Sequence, residues 1–331
     1  MKIKSQGLIL TTLILVWSFP IMADEEATRV ESLPTAFTPW FTGPLIAPSG
    51  YTVKAGDFNI EPYLYFYVYN GSYDQHWKPH STPNFYSTRF QVQAKMGIVQ
   101  GLDFHIYPQA FYNETQGHHY ANIGDLPLGF SIQLLRSGID KAWPAIKLTL
   151  RASVPIGKYQ HLHAEKLKTD AIGSGSWAPA VSLVFSKLYH TSERHYLDTR
   201  LVFNYQFGTP VHVKGFNSYG GGPRTRGTVH PGNNLFIDGS IQYNMSQRWV
   251  VACDLYYIHY NRNKFSGKAG TDSFGAPNVN TGPSGEQLSL APAIEYNWSK
   301  NLGLIGGVWF TLAGRNTSRF VTGVVALNIH I

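Results

Sequence analysis

Phe85-Tyr86-Ser87-Thr88-Arg89-Phe90-Gln91-Val92-Gln93-Ala94-Lys95-Met96-Gly97-Ile98-Val99 decides the fold. One parity carries Tyr86, Thr88, Phe90, Val92, Ala94, Met96 and Ile98. The other carries Ser87, Arg89, Gln91, Gln93, Lys95 and Gly97. Successive side chains of a strand point to opposite faces, so this segment has one oily face and one wet face. An ordinary globular strand runs roughly 5–6 residues, whereas a tilted strand crossing a bilayer needs roughly 9–11. The same dyad returns down to the C-terminus, which is the pattern of an all-β, antiparallel transmembrane β-barrel.

Outward from this stretch, about twelve segments read as strands, an even number as bacterial barrels require. They span 56–70, 85–99, 102–112, 124–135, 143–155, 176–187, 195–207, 234–245, 248–260, 286–297, 302–313 and 318–331. Lipid-facing sets include Leu126, Leu128, Phe130, Ile132 and Leu134, and later Val321, Gly323, Val325, Leu327, Ile329 and Ile331. The connections alternate between tight turns such as Gln100-Gly101 and long Gly- and Pro-rich stretches such as 207–233 and 261–285. Short periplasmic turns and long extracellular loops are the barrel rule. Prolines inside strands (Pro62, Pro108, Pro127, Pro179, Pro292) remove ladder donors, so bulges or kinks are expected there.

The start, Met1-Lys2-Ile3-Lys4, an apolar run from Gly7 to Ile21, and Ile21-Met22-Ala23 read as a signal peptide, 1–23, cleaved after Ala23. Loss of Lys2 and Lys4 from 27 basic residues leaves 25 against 20 acidic ones. An excess of five without clustered basic runs gives no sign of nucleic-acid binding. The lone Cys253 excludes an internal disulfide. No later apolar run reaches the ~18 residues of a spanning helix. Residues 24–54 are unpatterned and hold Pro34, Pro39, Pro44 and Pro48. They either hang in the periplasm or, with the apolar stretch 36–41, plug the barrel mouth. Residues 55–331 make the barrel.

Several segments resemble the outer-membrane transporters of the meta-pathway phenol-degradation type. They are Gly56-Asp57-Phe58-Asn59-Ile60-Glu61-Pro62-Tyr63, Ile123-Gly124-Asp125-Leu126-Pro127-Leu128-Gly129, Val154-Pro155-Ile156-Gly157-Lys158-Tyr159 with Gly173-Ser174-Gly175-Ser176-Trp177, and Ala291-Pro292-Ala293-Ile294-Glu295-Tyr296-Asn297 with Gly307-Val308-Trp309-Phe310 and Gly314-Arg315-Asn316. The resemblance covers roughly 54–331 and implies a barrel that passes aromatic or other hydrophobic small molecules. The chain departs from that type at its end, Asn328-Ile329-His330-Ile331, where an aromatic residue read by the barrel-assembly machinery is usual.

If the apolar parity faces lipid, its complement faces the lumen: Glu61, Arg89, Lys95, Asp103, Asp125, Lys147, Arg151, Asp198, Arg200, Asp238, Asp254 and Glu295. Cations concentrate on the second and fifth strands and acids on the eighth to tenth. They either set a transverse field across a pore or pair across a filled interior. Tyr63, Tyr65, Tyr67 and Tyr69, with Tyr256 and Tyr260, offer an amphipathic track on which aromatic solutes stack, or else fill the core. The outer loops are basic (Lys214, Arg224, Arg226, Arg262, Lys264, Lys268), which suits lipopolysaccharide phosphates.

Histidine pairs such as His118-His119 and His161-x-His163 lack the converging set a metal needs. No compact Ser-His motif suggests catalysis. The chain therefore reads as a non-enzymatic channel of a Gram-negative-type outer membrane. It needs no cofactor or metal, and it meets outer-membrane lipids, lipopolysaccharide, the assembly machinery and a small-molecule solute. A structural or adhesive barrel acting through its loops is the alternative.

Overall fold

A computed structural model describes residues 37–139, 141–271 and 281–331. The expected signal peptide, 1–23, lies outside the described residues, as does most of the region before Thr38. The description that follows concerns residues 38–331.

The wall is a closed antiparallel sheet of twelve strands. They are β1 (Phe58–Tyr73), β2 (Pro79–Val99), β3 (Leu102–Ile106 and Gln109–Thr115), β4 (His118–Ile123 and Leu126–Leu135), β5 (Ala145–Val154) and β6 (Ala180–Ser192). Then come β7 (His195–Gln206), β8 (Asn234–Asn244), β9 (Trp249–Tyr260), β10 (Gly285–Ser299), β11 (Leu302–Arg315) and β12 (Thr317–His330). Each pairs with the next, and β1 closes the ring on β12. Phe66, Phe90, Phe130, Leu150, Ile241, Leu255, Ile294 and Val325 stand exposed on the outside. So large a continuous apolar belt has no counterpart on an ordinary soluble domain.

Two outer connections are shorter than the sequence reading. The expected loops 71–84 and 113–123 are mostly strand, and only residues 74–78 and 116–117 are turn. Residues 79–84 and 118–123 are exposed almost throughout. A strand wet on both faces shows no alternation, so periodicity ended the strands too early. Gln116 and Gly117 adopt positive φ to make the tight turn.

The prolines behave in three ways. Pro108 interrupts β3, and opposite it β4 inserts one extra residue. Ile106 pairs with Leu128 but Ala110 pairs with Ile123, so β4 bulges at Gly124-Asp125, with Gly124 N still donating to Gln109 O at 2.9 Å. Pro179 sits just before β6. Pro62 and Pro292 correct the expectation of a bulge. Ile60 pairs with Ile329 and Tyr63 with Ala326, in one register, and Leu290 and Ala293 likewise bracket Pro292 on β11. A strand residue donates to one neighbour only, so a missing N–H drops one bond while the intact ladder on the other side keeps register.

The long connections fold into a cap. Strands Val211–Lys214, Arg226–His230 and Lys264–Lys268 form a small sheet. Its Val211, Val213 and Val229 pack with Tyr159, Tyr219 and Phe265. Burial raises the Tyr219 hydroxyl's pKa, and its O–H donates to Ser174 O at 2.8 Å. Asp125, freed by the bulge, accepts from Gly157 N (2.9 Å), Ser174 N (2.8 Å) and Ser174 Oγ (2.7 Å), tying loop 155–179 to the wall.

At the β1–β2 tip, Asp74 lies 2.9 Å from His80 Nε2 and accepts from His76 N and Lys78 N. The His80 contact first, then the Lys78 amide, hold its pKa down to about 2. A depressed carboxyl stabilises above its unfolded value of about 3.9 and loses that contribution as pH falls through its folded value. Protection of the Lys78 amide from hydrogen exchange is therefore expected to hold above about pH 4 and to vanish toward pH 2.

Candidate functional site

Residues 38–57 run inside the barrel from the end that carries the short turns. Gln247 Nε2 donates to Thr38 O (2.7 Å) and Asn297 Nδ2 to Trp40 O (3.2 Å). Thr42 N donates to Glu295 (2.7 Å), and Leu45 N and Ala47 N both donate to Asp254 (3.1 Å each). Arg200 Nη1 donates to Ala47 O at 2.9 Å. The chain then returns. Gln133 Nε2 donates to Gly50 O (3.0 Å), Lys147 Nζ to Tyr51 O (3.4 Å) and Thr52 N to Gln133 Oε1 (2.9 Å). Val53 N donates to Asp103 at 3.0 Å, and Ala55 bridges to Gly97 just before β1 begins.

This segment has no secondary structure of its own. Its backbone polar groups would be costly to bury unpaired, and the wall supplies the partners. Two glycines give it room: a Cβ at Gly97 would collide with Lys54 O, and one at Gly303 with Thr42 Oγ1. Leu45 completes an apolar cluster with Tyr63, Tyr65, Tyr67, Ala291 and Ile305. Burying one leucine side chain contributes about 2 kcal/mol.

Above the segment lies a cavity of about 380 Å³, within the range of small-molecule sites (roughly 300–1,000 Å³). Ile46 and Pro48 border it. Of the sequence-derived candidates, Arg89, Lys95, Asp103, Lys147, Arg151, Asp238 and Tyr256 line it. The others lie elsewhere in the interior. Asp254 and Glu295 accept the inserted segment's N–H groups, Arg200 pairs with Asp198 at 3.0 Å, and Glu61 pairs with Lys95 at 3.3 Å.

Tyr63, Tyr65, Tyr67 and Tyr69 stack in a row with centroids 5.6, 5.8 and 5.7 Å apart. Trp309 meets Tyr67 and Tyr256 edge-on. Tyr63, Tyr65 and Tyr67 are buried, and none borders the cavity.

The charges on the two sides of the lumen are therefore used differently. Acids of β9 and β10, with Asp103 of β3, accept the inserted segment's N–H groups, whereas the basic residues of β2 and β5 border the cavity. Arg89 lies over the Tyr65 ring at 3.9 Å with its Nε unpartnered among the described residues. Residues that the sequence reading did not single out complete the lining, chiefly His105 and Tyr107, stacked at 5.1 Å. They share parity with Asp103, and that is the signal that finds them. Ile46 and Pro48 carry no such signal. Among the described residues no cluster of His, Cys, Asp and Glu is suited to a metal.

No family model matches the sequence, and no curated protein matches it. Among solved structures, the chain is similar to an outer-membrane channel from Pseudomonas putida F1, at TM-score 0.65 and 12% identity, over 86% of this chain and 100% of that one. It is also matched to the translocator domain of the autotransporter NalP from Neisseria meningitidis, at TM-score 0.45 and 8% identity, over 83% of this chain and 89% of that one. At these identities the first likeness establishes the fold, an outer-membrane-type β-barrel.

Proposed function

We propose that the chain is a passive channel of a Gram-negative-type outer membrane for small aromatic or amphipathic solutes, with residues 38–54 as a resident constriction. The observation that carries this reading is a polar-lined cavity of about 380 Å³ inside a closed wall whose outside is apolar. The likeness to an outer-membrane channel and the resemblance to the phenol meta-pathway transporters agree with it. In this reading residues 1–23 direct export and the assembly machinery inserts the barrel. Eight-stranded barrels are filled and barrels of 16–18 strands hold water channels, so twelve strands suit a narrow path. In proteoliposomes the full mature chain is expected to pass monoaromatic solutes and to exclude disaccharides in swelling assays. A folded barrel that passes neither would sink the channel reading and select the loop-acting, structural or adhesive barrel, which the cap sheet favours.

The cap supports a lipid partner. Its register sets Lys214 opposite Arg226, and Arg226 opposite Lys268, on an exposed face with no acidic residue on the three strands. Like charges directly opposite one another are destabilising, and lipopolysaccharide phosphates would relieve them. Each such contact is worth about 1 kcal/mol near a charged surface. Replacing all three by Gln is expected to weaken binding to lipopolysaccharide vesicles by on the order of a hundredfold at low salt. Equal binding by the variant, or by the native chain to dephosphorylated lipid, would argue against it.

A further inference from the structure

We propose that the lumen cavity is a binding site for small aromatic carboxylates, held by cations on β2 and β5 and by a hydrogen-bond acceptor on β8. This rests on the channel reading and names its substrate class.

The first observation is a charge imbalance around one enclosed space. Four basic side chains, Arg89, Lys95, Lys147 and Arg151, line the cavity against two carboxylates, Asp103 and Asp238. Lys95 is matched by Glu61 at 3.3 Å, and Asp103 accepts Val53 N at 3.0 Å. Arg89, Lys147 and Arg151 have no carboxylate partner within salt-bridge distance among the described residues. Lys147 is buried, 5% exposed, and its one protein partner is a neutral carbonyl, Tyr51 O. The Arg151 guanidinium makes no side-chain hydrogen bond to any described residue. Buried charges in proteins are paired or hydrogen-bonded as a rule, and an exchangeable anion would complete this site.

The second observation is chemical shape. His105 is 1% exposed, stacks on Tyr107 and leaves its Nε2 unpartnered. Phe236 and Tyr256, with centroids 6.2 Å apart, border the same cavity. An inorganic anion would use the cations and leave these ring faces idle, whereas an aromatic ring uses both.

The third observation is Asp238. It is 3% exposed, and both carboxylate oxygens lack a partner among the described residues. It lies on β8, six strands round the ring from the Arg89 strand. A ligand with its carboxylate toward Arg89, Lys147 and Arg151 and a hydroxyl at its far end donates to Asp238. A neutral phenol satisfies only one end, and a short aliphatic acid fills only the other.

The test uses the full mature chain in detergent and in liposomes, with 4-hydroxybenzoate, benzyl alcohol and acetate as probes. Calorimetric titration is expected to show 4-hydroxybenzoate binding at least tenfold more tightly than either other probe. Lys147→Gln with Arg151→Gln is expected to remove that preference. The variant's heat-shifted gel mobility reports whether it still folds. Should the double variant fail to fold, Asp238→Asn serves instead, with benzoate as a fourth probe and an expected loss of the native chain's preference for 4-hydroxybenzoate over it.

Equal affinity for acid and alcohol in the native chain would overturn the proposal, as would full retention of preference in a folded variant. Binding without flux would refute the channel and leave the site standing. Flux of all three solutes at one rate, with no binding preference, would refute the site and leave the channel.

Discussion

Deletion of residues 38–54 is expected to raise single-channel conductance on the order of tenfold, because in a channel it would turn a constricted path into a continuous water-filled one. The segment places Ile46 and Pro48 against the cavity and Leu45 against the tyrosine row. Little of the wall depends on it. All twelve strands close through main-chain ladders that begin at Phe58. Deletion leaves Asp254, Glu295 and Arg200 facing water, which is able to solvate them. The barrel is expected to keep its heat-shifted mobility while planar-bilayer currents rise. Unchanged currents would mean that the barrier lies in the cap rather than in the inserted segment.

Asp254→Ala is expected to loosen the same segment without removing it. Two backbone donors, Leu45 N and Ala47 N, converge on that carboxylate at 3.1 Å. Each hydrogen bond to such a group is worth about 1.5–3 kcal/mol when the acceptor is charged and about 1 kcal/mol otherwise, so the loss of two is about 2–6 kcal/mol. The segment keeps its Glu295, Gln133 and Asp103 anchors, so partial rather than complete release follows. The readout is the labelling rate of Ala47→Cys in a Cys253→Ala background. Asp254→Ala should speed labelling by at least a factor of about ten for 1.4 kcal/mol lost. Asp254→Asn, which keeps one carbonyl acceptor, should fall between. Equal labelling in all three chains would remove Asp254 from the role assigned to it.

These two results bear on why part of the site was hidden. Arg89, Lys95, Asp103, Lys147, Arg151, Asp238 and Tyr256 were legible because a strand's parity assigns a side to every residue, and all seven border the cavity. The division of labour between acids and cations was not legible. Glu295 and Asp254 bind main-chain N–H groups of residues 42–47, and a main-chain donor looks the same in every sequence. The tyrosine row shows the same limit from the other side. Its spacing predicts a shared face, and the stacking at 5.6–5.8 Å follows from it. Whether that face meets solute or packing depends on Leu45, which lies 18 residues before Tyr63 and carries no periodic signal.

The proline positions separate local from global control in the same way. A missing donor is a local fact, and at Pro108 it coincides with a real break. At Pro62 and Pro292 the neighbouring ladder holds the register, so the consequence of the same residue type is set by the sheet around it.

By itself, the order of residues determined the strand count, the side each side chain takes and the end at which the long loops emerge. Those follow from a two-residue repeat and from turn lengths, which are properties of neighbours along the chain. Tertiary structure alone decided that residues 38–57 occupy the lumen, that the acids on β9 and β10 hold them, and that unmatched cations border the remaining space. Those depend on contacts between backbone and side chains more than two hundred positions apart, such as Thr42 with Glu295, for which no local pattern exists.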